Sequence, residues 1–145
     1  MDIRSRRTVA EDADATSRSD TLGTHTWWLL TEGTVGASGV VLNVGELPSR
    51  TAHQLHRHAN AEQALLVLKG RGLHLRADDE PVEVEEGDAV FIPAGEWHGF
   101  ANPYPEPVRI ASIYGGIGRR EDAGYELHGS TYDFERPTAD RTRQE

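Results

Sequence analysis

Between Trp27 and Tyr114, short apolar or alternating runs recur at close intervals, and each is ended by Gly, Pro, Asn or Asp. That punctuation belongs to many short strands and leaves little room for helix. The runs predict strands over residues 27–31, 38–44, 65–69, 73–76, 82–84, 89–92 and 108–114. Val82 and Val84 alternate with Glu83 and Glu85, as a half-buried antiparallel strand requires, and Glu86-Gly87-Asp88 supplies a turn into the next run. Residues 1–20 and 131–145 are polar, mixed in charge and without period, so they read as flexible tails around one domain over 21–130. Gly115, Gly116 and Gly118 lack the spacing of a dinucleotide loop and read as a bend. No internal repeat is present.

Composition narrows this all-β reading. A chain of 145 residues holds one ordinary core, and no apolar run reaches the length that crosses a bilayer. Fifteen Lys and Arg against twenty-four Asp and Glu give a formal charge of −9, which repels phosphate backbones and anionic lipid. Neither nucleic acid nor a membrane is an expected partner. Arg6-Arg7 is followed by acidic residues from Glu11 to Asp14, where an export signal needs an apolar stretch, so a cytoplasmic location is expected. With no cysteine, any metal must be bound by nitrogen and oxygen.

The candidate chemistry starts at His56-Arg57-His58. Two imidazoles two positions apart on a strand share a face and can reach one ion. Taken alone, such a pair is better read as exposed or hydrogen-bonded histidines on a polar strand. The deciding segment is Gly87-Asp88-Ala89-Val90-Phe91-Ile92-Pro93-Ala94-Gly95-Glu96-Trp97-His98-Gly99-Phe100-Ala101-Asn102, in which a strand enters a Pro-x-Gly turn and the next begins with histidine. This segment resembles the second motif of the cupin superfamily, with Gly87, Pro93, Gly95, His98 and Asn102 at every fixed position. The first motif is matched by His56, His58 and Gly70, while its opening glycine is Arg50 here. The resemblance implies an antiparallel double-stranded β-helix, a jelly-roll cupin barrel, with one divalent metal ion held by His56, His58 and His98.

The fourth ligand is open between Gln63 and Glu62. Six residues before Gly70 stands Gln63, whereas the acid is Glu62, and neighbouring strand residues face opposite sides. The resemblance favours Gln63, because the motif's spacing to its closing glycine, Gly70 here, is its less variable part. An amide would leave the ion its full charge, and a carboxylate would cancel half of it. Iron, copper, nickel, cobalt, zinc and manganese all suit a nitrogen-rich set. Phe100, which shares the inward face of His98, is an expected pocket wall, together with Ile92, Val90 and Tyr114; core packing is the alternative role for all four. His25, His53, His74 and His128 lie outside both motifs and receive no catalytic role.

The resemblance implies a metal-dependent enzyme on a small oxygenated organic substrate, with a dioxygenase favoured and an uncoordinated Glu62 available as a base. The alternatives are an isomerase, a cyclase, a decarboxylase or a noncatalytic small-ligand-binding cupin. Exposed barrel edges and the adjacent Trp27-Trp28 pair suggest a homodimer.

Overall fold

A computed structural model describes residues 1–4, 16–18 and 24–135, the second of these segments as backbone only. The strands are β1 (Thr16–Arg18), β2 (His25–Leu30), β3 (Val40–Leu47), β4 (Thr51–Arg57), β5 (Glu62–Lys69), β6 (Arg71–Arg76), β7 (Val82–Glu85), β8 (Ala89–Ile92), β9 (His98–Asn102), β10 (Val108–Gly115) and β11 (Glu126–Leu127). They form a six-stranded sheet, in the order β1-β2-β3-β10-β5-β8, facing a five-stranded sheet, β11-β4-β9-β6-β7. All strand pairs are antiparallel. From β3 to β10 the chain passes repeatedly between the two sheets, which makes the double-stranded β-helix expected from the sequence.

Alternation explains most of these strands. Val108, Ile110, Ser112 and Tyr114 of β10 face inward while the residues between them are less buried, and Gln63, Leu65 and Val67 do the same on β5. The core between the sheets is Leu47, Leu65, Val67, Val84, Ile92, Phe100, Val108 and Ile110. Each fully buried side chain of this kind contributes about 1.5–3 kcal/mol. The strand β4 carries few apolar residues and no apolar run, so its polar sequence hid it; its backbone ladder with β9 holds it extended. The strand predicted over 27–31 stops at Leu30 because Thr31 and Thr34 form a capping box that starts the short helix α1 (Glu32–Val35).

Residues 5–15, 19–23 and 136–145 lie outside the described residues. The Arg6-Arg7 reading and most of both predicted tails therefore lie outside them too. Within the predicted N-terminal tail, Thr16–Arg18 pairs with β2. At the start of the predicted C-terminal tail, Tyr132 and Phe134 pack over Ala52, Leu73, Leu75 and Ala101 on the outer face of the five-stranded sheet.

Arg50, which stands where the first motif has glycine, adopts a left-handed backbone with φ of 59°. That conformation is unfavourable for a residue with a β-carbon. The turn is held by the Arg50 amide donating to the Asn102 carbonyl at 2.7 Å. Its guanidinium pairs with Glu135 and lies over the Phe134 ring, 5.3 Å from the centroid. Asn102 is fully buried; its amide donates to the Leu47 and Glu106 carbonyls and accepts from the Tyr104 amide. The motif asparagine thus closes the turn between β9 and β10.

Candidate metal centre

His56 lies near the end of β4, His58 just beyond it, and His98 opens β9 directly opposite His56. The Pro93–Gly95 turn is tied to this spot, because the Gly95 amide donates to the His58 carbonyl at 2.8 Å. Gly99 lets β9 approach β4: a β-carbon there would stand 2.7 Å from the His53 carbonyl. One ring nitrogen from each of the three histidines lies within 4.8 Å of the others.

The second ring nitrogen fixes each imidazole. Nδ1 of His56 bonds the Gln54 carbonyl at 2.6 Å, that of His58 the Gly124 carbonyl at 2.7 Å, and that of His98 the Glu96 carbonyl at 2.9 Å. A carbonyl only accepts, so each Nδ1 carries the proton and each Nε2 keeps its lone pair. The Nε2 atoms of His58 and His98 are buried with no hydrogen-bond partner. Burial lowers the pKa of all three, to about 3 for His56 and about 4 for His98, with the neighbouring imidazoles adding to the shift of those two. Three neutral imidazoles oriented by backbone carbonyls form a donor set that fits a divalent transition metal.

Gln63 is buried, and its Nε2 donates to Ser112 Oγ at 3.4 Å, leaving Oε1 buried and without a partner. Glu62, one position earlier, is exposed on the opposite side of β5, beside Gly115, and does not join the histidines. Strand alternation separates the two residues.

The histidines open into a cavity of about 290 Å³ between the sheets. Phe100 and Tyr114 line it. Ile92 and Val90 do not: Ile92 is part of the core and Val90 packs against it. Trp28 enters the cavity and stacks near Tyr114, with ring centroids 6.4 Å apart, while Trp27 faces the other way, against Leu29 and Val44.

Sequence reasoning missed several lining residues. His53 lines the cavity although it is three positions from His56, a spacing that puts strand residues on opposite faces. A bulge resolves this: His53 pairs with Phe100 and His56 with His98, so β4 carries one extra residue between them. The segment after β10 was also missed. It bends through Gly115–Gly118 and returns over the cavity, bringing the Gly124 carbonyl to His58 and the Tyr125 ring to His56, at 5.1 Å between centroids. An aromatic residue standing alone in a polar glycine-rich stretch was the available signal.

Comparison with known proteins agrees with this architecture. A family profile described as "Cupin domain" matches residues 43–114. The chain is 28% identical over 97 residues to the tetracenomycin polyketide synthase protein TcmJ of Streptomyces glaucescens, covering 67% of this chain and 64% of that protein. It is 38% identical over 56 residues to an uncharacterized protein of Methanocaldococcus jannaschii, covering 39% of this chain and 44% of that one. These matches thus span less than two thirds of either relative. Among solved structures, the polyketide cyclase RemF from Streptomyces resistomycificus superposes with a TM-score of 0.68 at 24% identity, over 92% of this chain and 89% of that chain. A cupin-like protein from Thermotoga maritima gives 0.66 at 20% identity, over 82% and 91%. Both structural likenesses concern the fold. The chain belongs to the cupin superfamily. Among the described residues, no helix is long and apolar enough to cross a membrane.

Proposed function

We propose that this chain is a mononuclear metal-dependent enzyme acting on a small, multiply oxygenated organic molecule of polyketide type. The observation that carries the reading is the convergence of His56, His58 and His98 in a cavity whose other walls are largely apolar. Gln63 is the fourth ligand in this proposal, through the Oε1 that its bond to Ser112 leaves facing no partner. An ion held there would polarise an enol, phenol or carbonyl oxygen as a Lewis acid.

The chain's own residues supply the rest. Leu47, Leu65, Phe100 and Ile110 exclude water and pack against rings, and Trp28 and Tyr125 add aromatic surface. His53, kept neutral by burial, is a cavity group placed to accept a proton from substrate in this proposal. Glu62 faces solvent, so the base role passes from it to His53. The substrate class draws on the printed names of two relatives, one a polyketide synthase protein and the other a polyketide cyclase.

A ring-forming reaction is the first reading. Dioxygenation is the second, favoured by a ligand set of neutral groups that suits redox-active iron or copper. Incubating metal-loaded protein with phenolic poly-β-ketones, with and without oxygen, separates them. Product formed equally without oxygen supports cyclisation, a strict oxygen requirement supports the dioxygenase, and no product in either overturns the enzymatic reading. The proposal includes a homodimer formed on the outer face of the six-stranded sheet, where Leu66, Leu68, Phe91 and Ile113 are exposed together.

A further inference from the structure

Gly45 has no local reason to be glycine. It lies inside β3, between Thr26 of β2 and Ile110 of β10. Its backbone is not among the positive-φ positions, and a β-carbon there would find its nearest neighbours, the His25 carbonyl and the Thr26 hydroxyl, at 3.9 Å. Glycine weakens a strand, and where neither turn geometry nor backbone packing requires it, close approach of a ligand is the remaining explanation. Gly45 faces the cavity, and so do Thr24 and Thr26. Thr24 is 1% exposed, yet among the described residues its Oγ1 has no hydrogen-bond partner, an expensive state for a buried hydroxyl.

This corner is remote from the histidines. His58 lies against Tyr114, with centroids 5.2 Å apart, whereas Gly45 pairs with Ile110 four residues along the same strand. Four strand residues span about 13 Å. We infer that Gly45, Thr24 and Thr26 form a distal subsite that selects an elongated, fused-ring ligand, with chelating oxygens at the histidine end and a hydroxyl or carbonyl at the Thr24 end. Gly45 leaves the space for the far ring, and Thr24 Oγ1 bonds a ligand oxygen beyond the chelating pair. The inference rests on the metal-centre reading above and adds to it the length and polarity of the substrate.

The test uses zinc-loaded protein and two probes that chelate through adjacent hydroxyls: catechol, which ends near the metal, and alizarin, whose fused rings carry a remote quinone carbonyl. Gly45→Val should lower alizarin affinity about tenfold or more while zinc and catechol binding stay within about twofold. Thr24→Val, which removes only the hydroxyl, should lower alizarin affinity about three- to tenfold, the range of one neutral hydrogen bond. Gly45→Ala, whose single methyl meets only ordinary contacts, guards against a folding artefact and should fall between parent and valine. Unchanged alizarin affinity in Gly45→Val, or an equal loss of catechol, overturns the inference. Failure of the parent to bind zinc or catechol strikes the proposed function instead. The subsite is then decided on metal-free protein with 2-naphthol, which cannot chelate. Weaker binding by Gly45→Val than by the parent supports the subsite; equal binding, or none by the parent, overturns it.

Discussion

The two sheets enclose one cavity but are built to different specifications. The five-stranded sheet supplies His53, His56 and His98 to it from its strands, and His58 follows directly on β4. Backbone carbonyls hold His56, His58 and His98, and a bulge in β4 turns His53 inward. The six-stranded sheet faces it with Leu47, Leu65, Ile110, Asn43, Ser112 and Gly45, which set shape and polarity. The outer faces differ as well. The chain's own Tyr132 and Phe134 cover the five-stranded sheet, whereas Phe91, at 62% exposure, and Ile113, at 44%, stand open on the other. One sheet carries reactive groups at fixed positions, and the other carries a contour. Errors of one residue matter on the first, and changes of volume on the second.

The largest expected effect falls on the histidine sheet. His56→Ala, His58→Ala and His98→Ala should each weaken zinc binding by about a hundredfold or more, since even outer partners of ligands are worth about 10–100-fold. Circular dichroism should still report a β-fold, because the apolar core is formed by other side chains. Calorimetric titration showing full affinity in any one variant would remove that residue from the centre.

Acid should next expose the same asymmetry. His98 and His74 have folded pKa values lowered to about 4, and that of His56 is lowered to about 3, all by burial, against an ordinary 6.5. The unfolded chain therefore binds more protons below pH 6.5. Stability is fully present above that pH and is lost as pH falls toward 4 and 3, by up to about 1.4 kcal/mol per unit for each group. Thermal melts of metal-free protein from pH 7 to pH 4 should show a steady decline, and a flat profile would contradict the buried neutral histidines.

On the opposite outer face, Phe91→Lys should shift the proposed dimer toward monomer in sedimentation, with little change in melting temperature. A monomeric parent at micromolar concentration breaks that part of the comparison. The smallest effect separates neighbours on β5. Gln63→Glu should tighten metal binding severalfold by adding charge at the buried position, while Glu62→Gln should change it less than about twofold. Loss of affinity confined to Glu62→Gln would move the ligand to the exposed residue.

What the sequence determined by itself was whatever local spacing encodes. Period-two alternation marked most strands, the Pro93-Ala94-Gly95 turn marked the entry to β9, and the resemblance to the cupin motifs joined His98 to His56 and His58 as a candidate metal centre. The family motif's spacing to Gly70 favoured Gln63 while leaving Glu62 open, and the structure buries the first and exposes the second. Only the tertiary structure decided the rest. His53 reaches the cavity through a bulge that exists only because β4 pairs with β9, and strand periodicity therefore argued against it. Gly124 and Tyr125 meet His58 and His56 across 66 and 69 residues of chain, positions that no local pattern relates. Ile92 and Val90 share an alternating strand with no cavity wall, because an inward side chain meets either ligand space or core, and which it meets depends on the facing sheet. Alternation specifies the direction of a side chain; only the packing of the opposite sheet specifies what lies there.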